Sequence, residues 1–282
     1  MTELIAFMPT PFTSTGIDVG AVERQMAHYR DTDVTVGVMG GLGEFYALSD
    51  EESELLMRTS TAGGGRVLAA IGFATREAAQ LARVAADAGC AGLVVNPPYY
   101  VHPSPAAFAE HVRVLTAESG LSAVVYSSKL LAIDEPYLAA LAEVPGFLGV
   151  KDELSTPEEF ARQVKRWGDR VEFWTVGEHT GAAYLAAGAT AVTSALANVC
   201  PEASRAHLAG TDSTGRLAQL VHESVRLLGA ELGTSAAVSK LMIAAVRDWP
   251  TVVRSPQSAA SEELCSAVKS LVTTVRAFVA GR

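Results

Sequence analysis

The chain has 282 residues, of which 49% are hydrophobic and 19% charged, so it can bury a large core and does not have the composition of a disordered segment. Its net charge of −9 and isoelectric point near 5.2 argue against nucleic acid and anionic membranes as partners. They leave open a locally positive pocket for a small anion.

The elements follow in a regular alternation. LIAFMPT (4–10) reads as a first strand, and Val19, Val22, Met26 and Tyr29 share one face of the helix after it. TVGVMG (35–40) is a second strand. Ser49 and Glu52 then have capping-box spacing in front of an apolar run. RVLAAIG (66–72) precedes a helix with Ala78, Leu81, Ala82 and Ala85 on one face, stopped by Gly89. AGLVVNP (91–97) is followed by a helix that starts at Ser104-Pro105 and stops at Gly120. LSAVVYS (121–127) and FLGVK (147–151) come next, then a second capping box, Thr156 with Glu159, with Pro157 at the first helical position. VEFWTVG (171–177) and ATAVTSA (189–195) complete the strands, and Gly188 ends the helix between them.

Eight strand–helix units with near-continuously apolar strands indicate a parallel sheet buried on both faces. The expectation is an α/β fold, a (β/α)8 TIM barrel over residues 1–210. After Pro201 the strands cease, and helical stretches near 213–230, 234–248 and 259–280 form a C-terminal helical extension over 211–282, packed on the barrel or used between subunits. Cys90, Cys200 and Cys265 are far apart and form no CxxC, which fits a reduced, cytoplasmic protein. MTELIAFMPTPF has no basic n-region, so no signal peptide is expected, and no apolar run reaches the ~18 residues that span a bilayer.

Chemistry in such a barrel sits at the C-terminal ends of the strands. Thr10 ends strand 1, and Gly40, Gly41, Leu42, Gly43 and Glu44 follow strand 2. Tyr99 and Tyr100 follow strand 4; Tyr126, Ser127, Ser128 and Lys129 end strand 5; Lys151 ends strand 6. Gly177, Glu178 and His179 follow strand 7, and Thr193, Ser194 and Asn198 lie near the end of strand 8. An inward Lys151 would lose hydration, and desolvation lowers an amine's pKa and frees it as a nucleophile toward a carbonyl. It could equally be a lysine that reaches water at a strand end. Alternation along the strand would put Gly149 beneath it, leaving room for the stem. The Gly40–Gly43 turn could offer backbone N–H groups to a carboxylate, or serve geometry alone. The six histidines form no HxxxH pair and no metal site is expected.

The sequence resembles the dihydrodipicolinate synthase / N-acetylneuraminate lyase superfamily. The resemblance is carried by TPF (10–12), GLGEFYALSDEE (41–52), PPYYVHPS (97–104), Tyr126, GVKD (149–152) and ALANVCPE (195–202), and it leans toward the branch containing 5-dehydro-4-deoxyglucarate dehydratase. It implies a lyase, dehydratase or aldolase, that acts on a sugar-derived 2-keto acid through a Schiff base on Lys151, with Tyr126 as acid/base and no cofactor. The alternatives are condensation of pyruvate with an aldehyde and a barrel that binds a keto acid without turnover. Thr10, Gly41, Leu42, Gly43, Lys129, Gly177, Glu178, His179 and Ser194 become candidate substrate contacts. Tyr100 becomes a candidate interface residue of a homo-oligomer, dimer or tetramer. Two departures stand out. Gly41 and Leu42 occupy the place of two threonines, and a leucine relays no proton. Ser127-Ser128-Lys129 replaces an Asn-Val-Pro run with its basic residue, so Lys129 either supplies that charge from a shifted position or is solvated surface.

Overall fold

The computed structural model describes residues 2–281. Eight strands, β1 (Glu3–Phe7), β2 (Thr35–Met39), β3 (Val67–Ile71), β4 (Gly92–Val95), β5 (Ala123–Ser127), β6 (Phe147–Asp152), β7 (Glu172–Val176) and β8 (Ala191–Thr193), pair in parallel in chain order, and β1 pairs with β8 to close a barrel. β1 is shorter than the apolar run that announced it. Pro9 and Pro11 have no N–H for the ladder, and pairing stops at Phe7.

Helices α1 (Val19–Asp31), α2 (Asp50–Ala62), α3 (Thr75–Asp87), α4 (Pro105–Ser119), α5 (Glu135–Leu141), α6 (Pro157–Trp167), α7 (Glu178–Ala186) and α8 (Pro201–Leu208) follow their strands in turn. Both capping boxes form: Ser49 Oγ accepts from the Glu52 amide and Glu52 accepts from the Ser49 amide, and Thr156 and Glu159 do the same. Each pair satisfies two amides that have no partner within the helix. The apolar faces of α1 and α3 lie against the sheet as their 3.6-residue spacing requires, with Val22, Met26, Ala78 and Leu81 buried.

Between β5 and β6 the register slips by one residue. Ala123 faces Phe147, Val124 faces Gly149, and Leu148 is the extra residue. The slip sets Tyr126 opposite Lys151. Gly149 was expected to clear space for the lysine stem, but the structure gives it another task. A Cβ there would lie 2.3 Å from the Glu172 carbonyl oxygen, so glycine permits the close approach of β7.

Beyond α8, helices α9 (Arg216–Leu228), α10 (Ser235–Ala244) and α11 (Glu262–Ala280) pack on one another and on α7 and α8. A buried ion pair ties this extension to the rim. Lys240 Nζ on α10 lies 2.6 Å from Glu44 Oε1 in the β2–α2 loop, with both side chains fully buried. The same ammonium donates to the Val252 carbonyl, and the Arg254 amide donates to Glu44 Oε2 at 2.8 Å. The Arg254 guanidinium pairs with Glu52, so the loop after β2 is gripped by two cations of the extension. Removing one partner leaves the other charge buried and unpaired. Lys240→Met is therefore expected to cost about 3–5 kcal/mol of unfolding free energy in urea titration. A loss below about 1 kcal/mol would show that the pair does not hold the extension in place.

Candidate active site

At the C-terminal ends of the strands the barrel opens into a cavity of about 710 Å³. Lys151 on β6 lines it and is 8% exposed. Its Nζ lies 3.6 Å from the centroid of the Tyr126 ring and 5.0 Å from that of Phe7. Burial draws the amine down from 10.5 to about 8, and the nearby Glu153 carboxylate opposes part of that shift. The Tyr126 phenol moves the other way. Burial raises its pKa, and its hydrogen bond to Glu153 and that carboxylate's charge add to the rise. The hydroxyl donates to Glu153 Oε2.

Glu153 was not singled out from the sequence. It stands two residues beyond Lys151, and strand alternation places residues i and i+2 on one face, so the signal was present in the run KDE. The intervening Asp152 is buried and ends β6, with its Oδ1 accepting from the amides of Leu154 (2.9 Å) and Ser155 (3.4 Å).

The turn after β2 contributes Gly40, Gly41 and Leu42 to the cavity wall. Its own hydrogen bonds use the amides of Glu44 and Phe45, which donate to the carbonyls of Gly41 and Gly40. The amides of Gly41 and Leu42 are left out of that internal bonding. Gly43 and Thr10 serve the turn rather than the cavity. A Cβ on Gly43 would fall 1.8 Å from the Met39 carbonyl oxygen, and Thr10 Oγ1 donates to the Gly43 carbonyl at 2.6 Å. Neither residue lines the cavity, although both were candidate substrate contacts.

The N-terminus of α7 forms another part of the wall. Gly177 has φ of +85°, and a Cβ there would meet His179 Nδ1 at 2.7 Å, so glycine lets the imidazole fold back over the turn. Glu178 is buried. Burial pushes its carboxyl up to about 6 against the pull of Ser194 and backbone donors. His179 is held below the usual imidazole range, first by burial and then by His222 and His207. The Ser194 hydroxyl also lines the cavity and accepts from the Ala197 amide at 2.9 Å.

Of the residues singled out from the sequence, Lys151, Tyr126, Gly41, Leu42, Gly177, Glu178, His179 and Ser194 meet at this cavity. Lys129 does not. It is exposed in the turn bridged by Ser128 and Leu131, outside the cavity wall. Tyr100 is 91% exposed, beside the exposed Tyr99 and Val101. The extension supplies wall residues that the sequence did not assign: Val225 and Leu228 from α9, Ser235 from α10, and Gln257. Among the described residues no group of three or more His, Cys, Asp or Glu could hold a metal ion, and no helix is long and apolar enough to cross a membrane.

Comparison with known proteins adds to this geometry. The model of the dihydrodipicolinate synthetase family matches residues 1–275. Among curated proteins, the chain is 34% identical over 169 residues to the probable 5-dehydro-4-deoxyglucarate dehydratase of Saccharopolyspora erythraea, covering 57% of this chain and 55% of that protein. It is 30% identical over 208 residues to that of Rhodococcus opacus, covering 71% of this chain and 68% of the relative. The alignment thus spans only about half of the first relative's length. Among solved structures, the sialic acid aldolase of Ruminococcus gnavus superposes with a TM-score of 0.89 at 18% identity, over 99% of both chains. Dihydrodipicolinate synthase from Bacillus clausii gives 0.86 at 23% identity, over 97% of both. At these identities the structural likeness speaks to the fold.

Proposed function

We propose that this chain, which belongs to the dihydrodipicolinate synthetase family, is a Schiff-base-forming lyase acting on a sugar-derived 2-keto acid. The observation that carries the reading is Lys151: an amine buried at the barrel mouth, drawn down to about 8 and in contact with a phenol. At pH 7 roughly one such amine in 10 is neutral, against roughly one in 3,000 for an amine that keeps its ordinary value of 10.5.

Lys151 Nζ attacks the C2 carbonyl carbon, and the carbonyl oxygen takes up a proton to give a carbinolamine. Loss of water from that adduct forms the protonated imine, which withdraws electrons from C3. Removing a C3 proton gives an enamine, and the enamine expels a C4 hydroxide, protonated as it leaves, as water. In the aldolase variant a base takes the proton of the C4 hydroxyl, the C3–C4 bond breaks with C4 leaving as an aldehyde, and the electron pair forms the shorter enamine of pyruvate, which is protonated at C3 and hydrolysed from Lys151. Tyr126 is the group beside the imine that carries protons, and Glu153, which accepts the phenolic hydrogen bond, takes the relay position that Leu42 cannot fill. The substrate's own carboxylate is received by the backbone of the Gly40–Leu42 turn. Relatives named as dehydratases favour elimination of water over cleavage. The exposed Tyr99, Tyr100 and Val101 support association with further copies of the chain, and the acidic surface supports a cytoplasmic setting.

Reductive trapping with pyruvate and cyanoborohydride tests the reading. The rate of adduct formation is expected to rise with pH and level off above about 8, as the neutral amine becomes the major form. A rate independent of pH between 6 and 9 would speak against a nucleophilic Lys151. Glu153→Gln removes the charge that raises the lysine's pKa, so the rising limb is expected to move to lower pH. A limb that stays in place would mean that the carboxylate does not reach the amine.

A further inference from the structure

The cavity wall is unusual in its charge. It carries one cation, Lys151, against three carboxyl groups, Asp152, Glu153 and Glu178. Among the described residues no arginine lines it. Arg254 is only three residues from the lining residue Gln257, but its guanidinium is taken up by Glu52 and the Ala47 carbonyl. His179 is held below the usual imidazole range and is neutral at pH 7.

A 2-keto acid brings one carboxylate beside the reacting carbon, and that group is served by the cationic imine and by the turn after β2. The opposite demand falls on the substrate's tail. The wall contributed by the C-terminal extension and the β2–α2 loop consists of Val225, Leu228, Ser235, Gln257 and Tyr46, all uncharged. Gln257 Nε2 donates to the Tyr46 hydroxyl, while Gln257 Oε1 is buried without a hydrogen-bond partner. Glu178 Oε1 is likewise buried and partnerless, while a partnerless donor on the wall, Asn96 Nδ2, sits just after β4 and not on the extension. Gln257 Oε1 and Glu178 Oε1 are acceptors that want an O–H. A hydroxyl can donate to them, whereas a carboxylate can only accept and would add a fourth acidic group to a site with no second cation.

We infer that the substrate is a monocarboxylate, a 2-keto-3-deoxy acid whose tail is neutral and hydroxylated and ends in an alcohol rather than in a second carboxylate. The inference rests on the Schiff-base reading. It assigns to the C-terminal extension the discrimination at the far end of the substrate.

Two compounds with the same six-carbon skeleton test it: 2-dehydro-3-deoxygluconate, which ends in CH2OH, and 5-dehydro-4-deoxyglucarate, which ends in a carboxylate. With the full-length protein, each is titrated for half-maximal reductive trapping at pH 7, with pyruvate as the control, and kcat/KM is measured for both. The alcohol-terminated acid is expected to trap at a concentration at least 10-fold lower and to be turned over with kcat/KM at least 100-fold higher. If pyruvate traps on Lys151 and the dicarboxylate is equal or better, the inference is overturned while the Schiff-base reading stands. If pyruvate gives no adduct on Lys151, the reading itself falls and the inference with it.

Discussion

Lys151→Met loses turnover by about 10⁴-fold or more and forms no reducible adduct with any 2-keto acid. The reason is the cavity's inventory. Among the described residues Lys151 is the one amine on its wall, Lys129 is exposed outside it, and Lys240 is committed to Glu44. No other primary amine among the described residues is placed to replace it. The same variant is expected to fold at least as well as the parent. A lysine whose pKa falls from 10.5 unfolded to about 8 folded destabilises the native state wherever it is protonated. That cost is full below pH 8 and disappears as the pH rises toward 10.5. Methionine keeps the apolar stem and sheds the charge, so urea unfolding at pH 7 should show a gain of up to about 3 kcal/mol. Lost activity together with unchanged or increased stability would show a residue kept for chemistry against its effect on folding. Retained turnover would remove the amine from the mechanism.

Tyr126→Phe is the second large effect. The ring that contacts the ammonium remains, so the lysine's surroundings change little. Only the hydroxyl that donates to Glu153 is lost. Imine formation with pyruvate should persist, slowed, while kcat for a keto-deoxy acid falls by about 10²–10⁴-fold, the usual contribution of a positioned acid/base. Steady-state kinetics read beside the trapping rate separate the two steps. A fall of less than about 10-fold in kcat would assign the proton traffic to another group.

The barrel was legible in the sequence because its signals are local. Apolar runs, two capping boxes and glycines after helices each fix their own element, and the parallel closed order follows from repetition of one unit. The placement of Lys151 and Tyr126 on the cavity wall was legible because strand ends in a barrel converge, while the roles expected of them came from the resemblance. What stayed hidden depends on contacts between segments distant in the chain. Nothing in the run SKLMI marks Lys240 as a fully buried partner of Glu44, 196 residues earlier. Nothing around Gln257 or Leu228 shows that the extension closes one wall of the cavity. Thr10 and Lys129, both near strand ends, lie off the cavity wall for a related reason. Position near a strand end does not say whether a side chain turns into the cavity, as Lys151 does, or into the neighbouring turn or solvent. Glu153 lies on the same strand face as Lys151 by alternation, with Asp152 between them.

The most direct measurement is peptide mapping after reduction with cyanoborohydride in the presence of pyruvate. The account expects one stoichiometric adduct, carried by the peptide that contains Lys151 and absent from Lys151→Met. An adduct on a different lysine, or none at saturating keto acid, would contradict it.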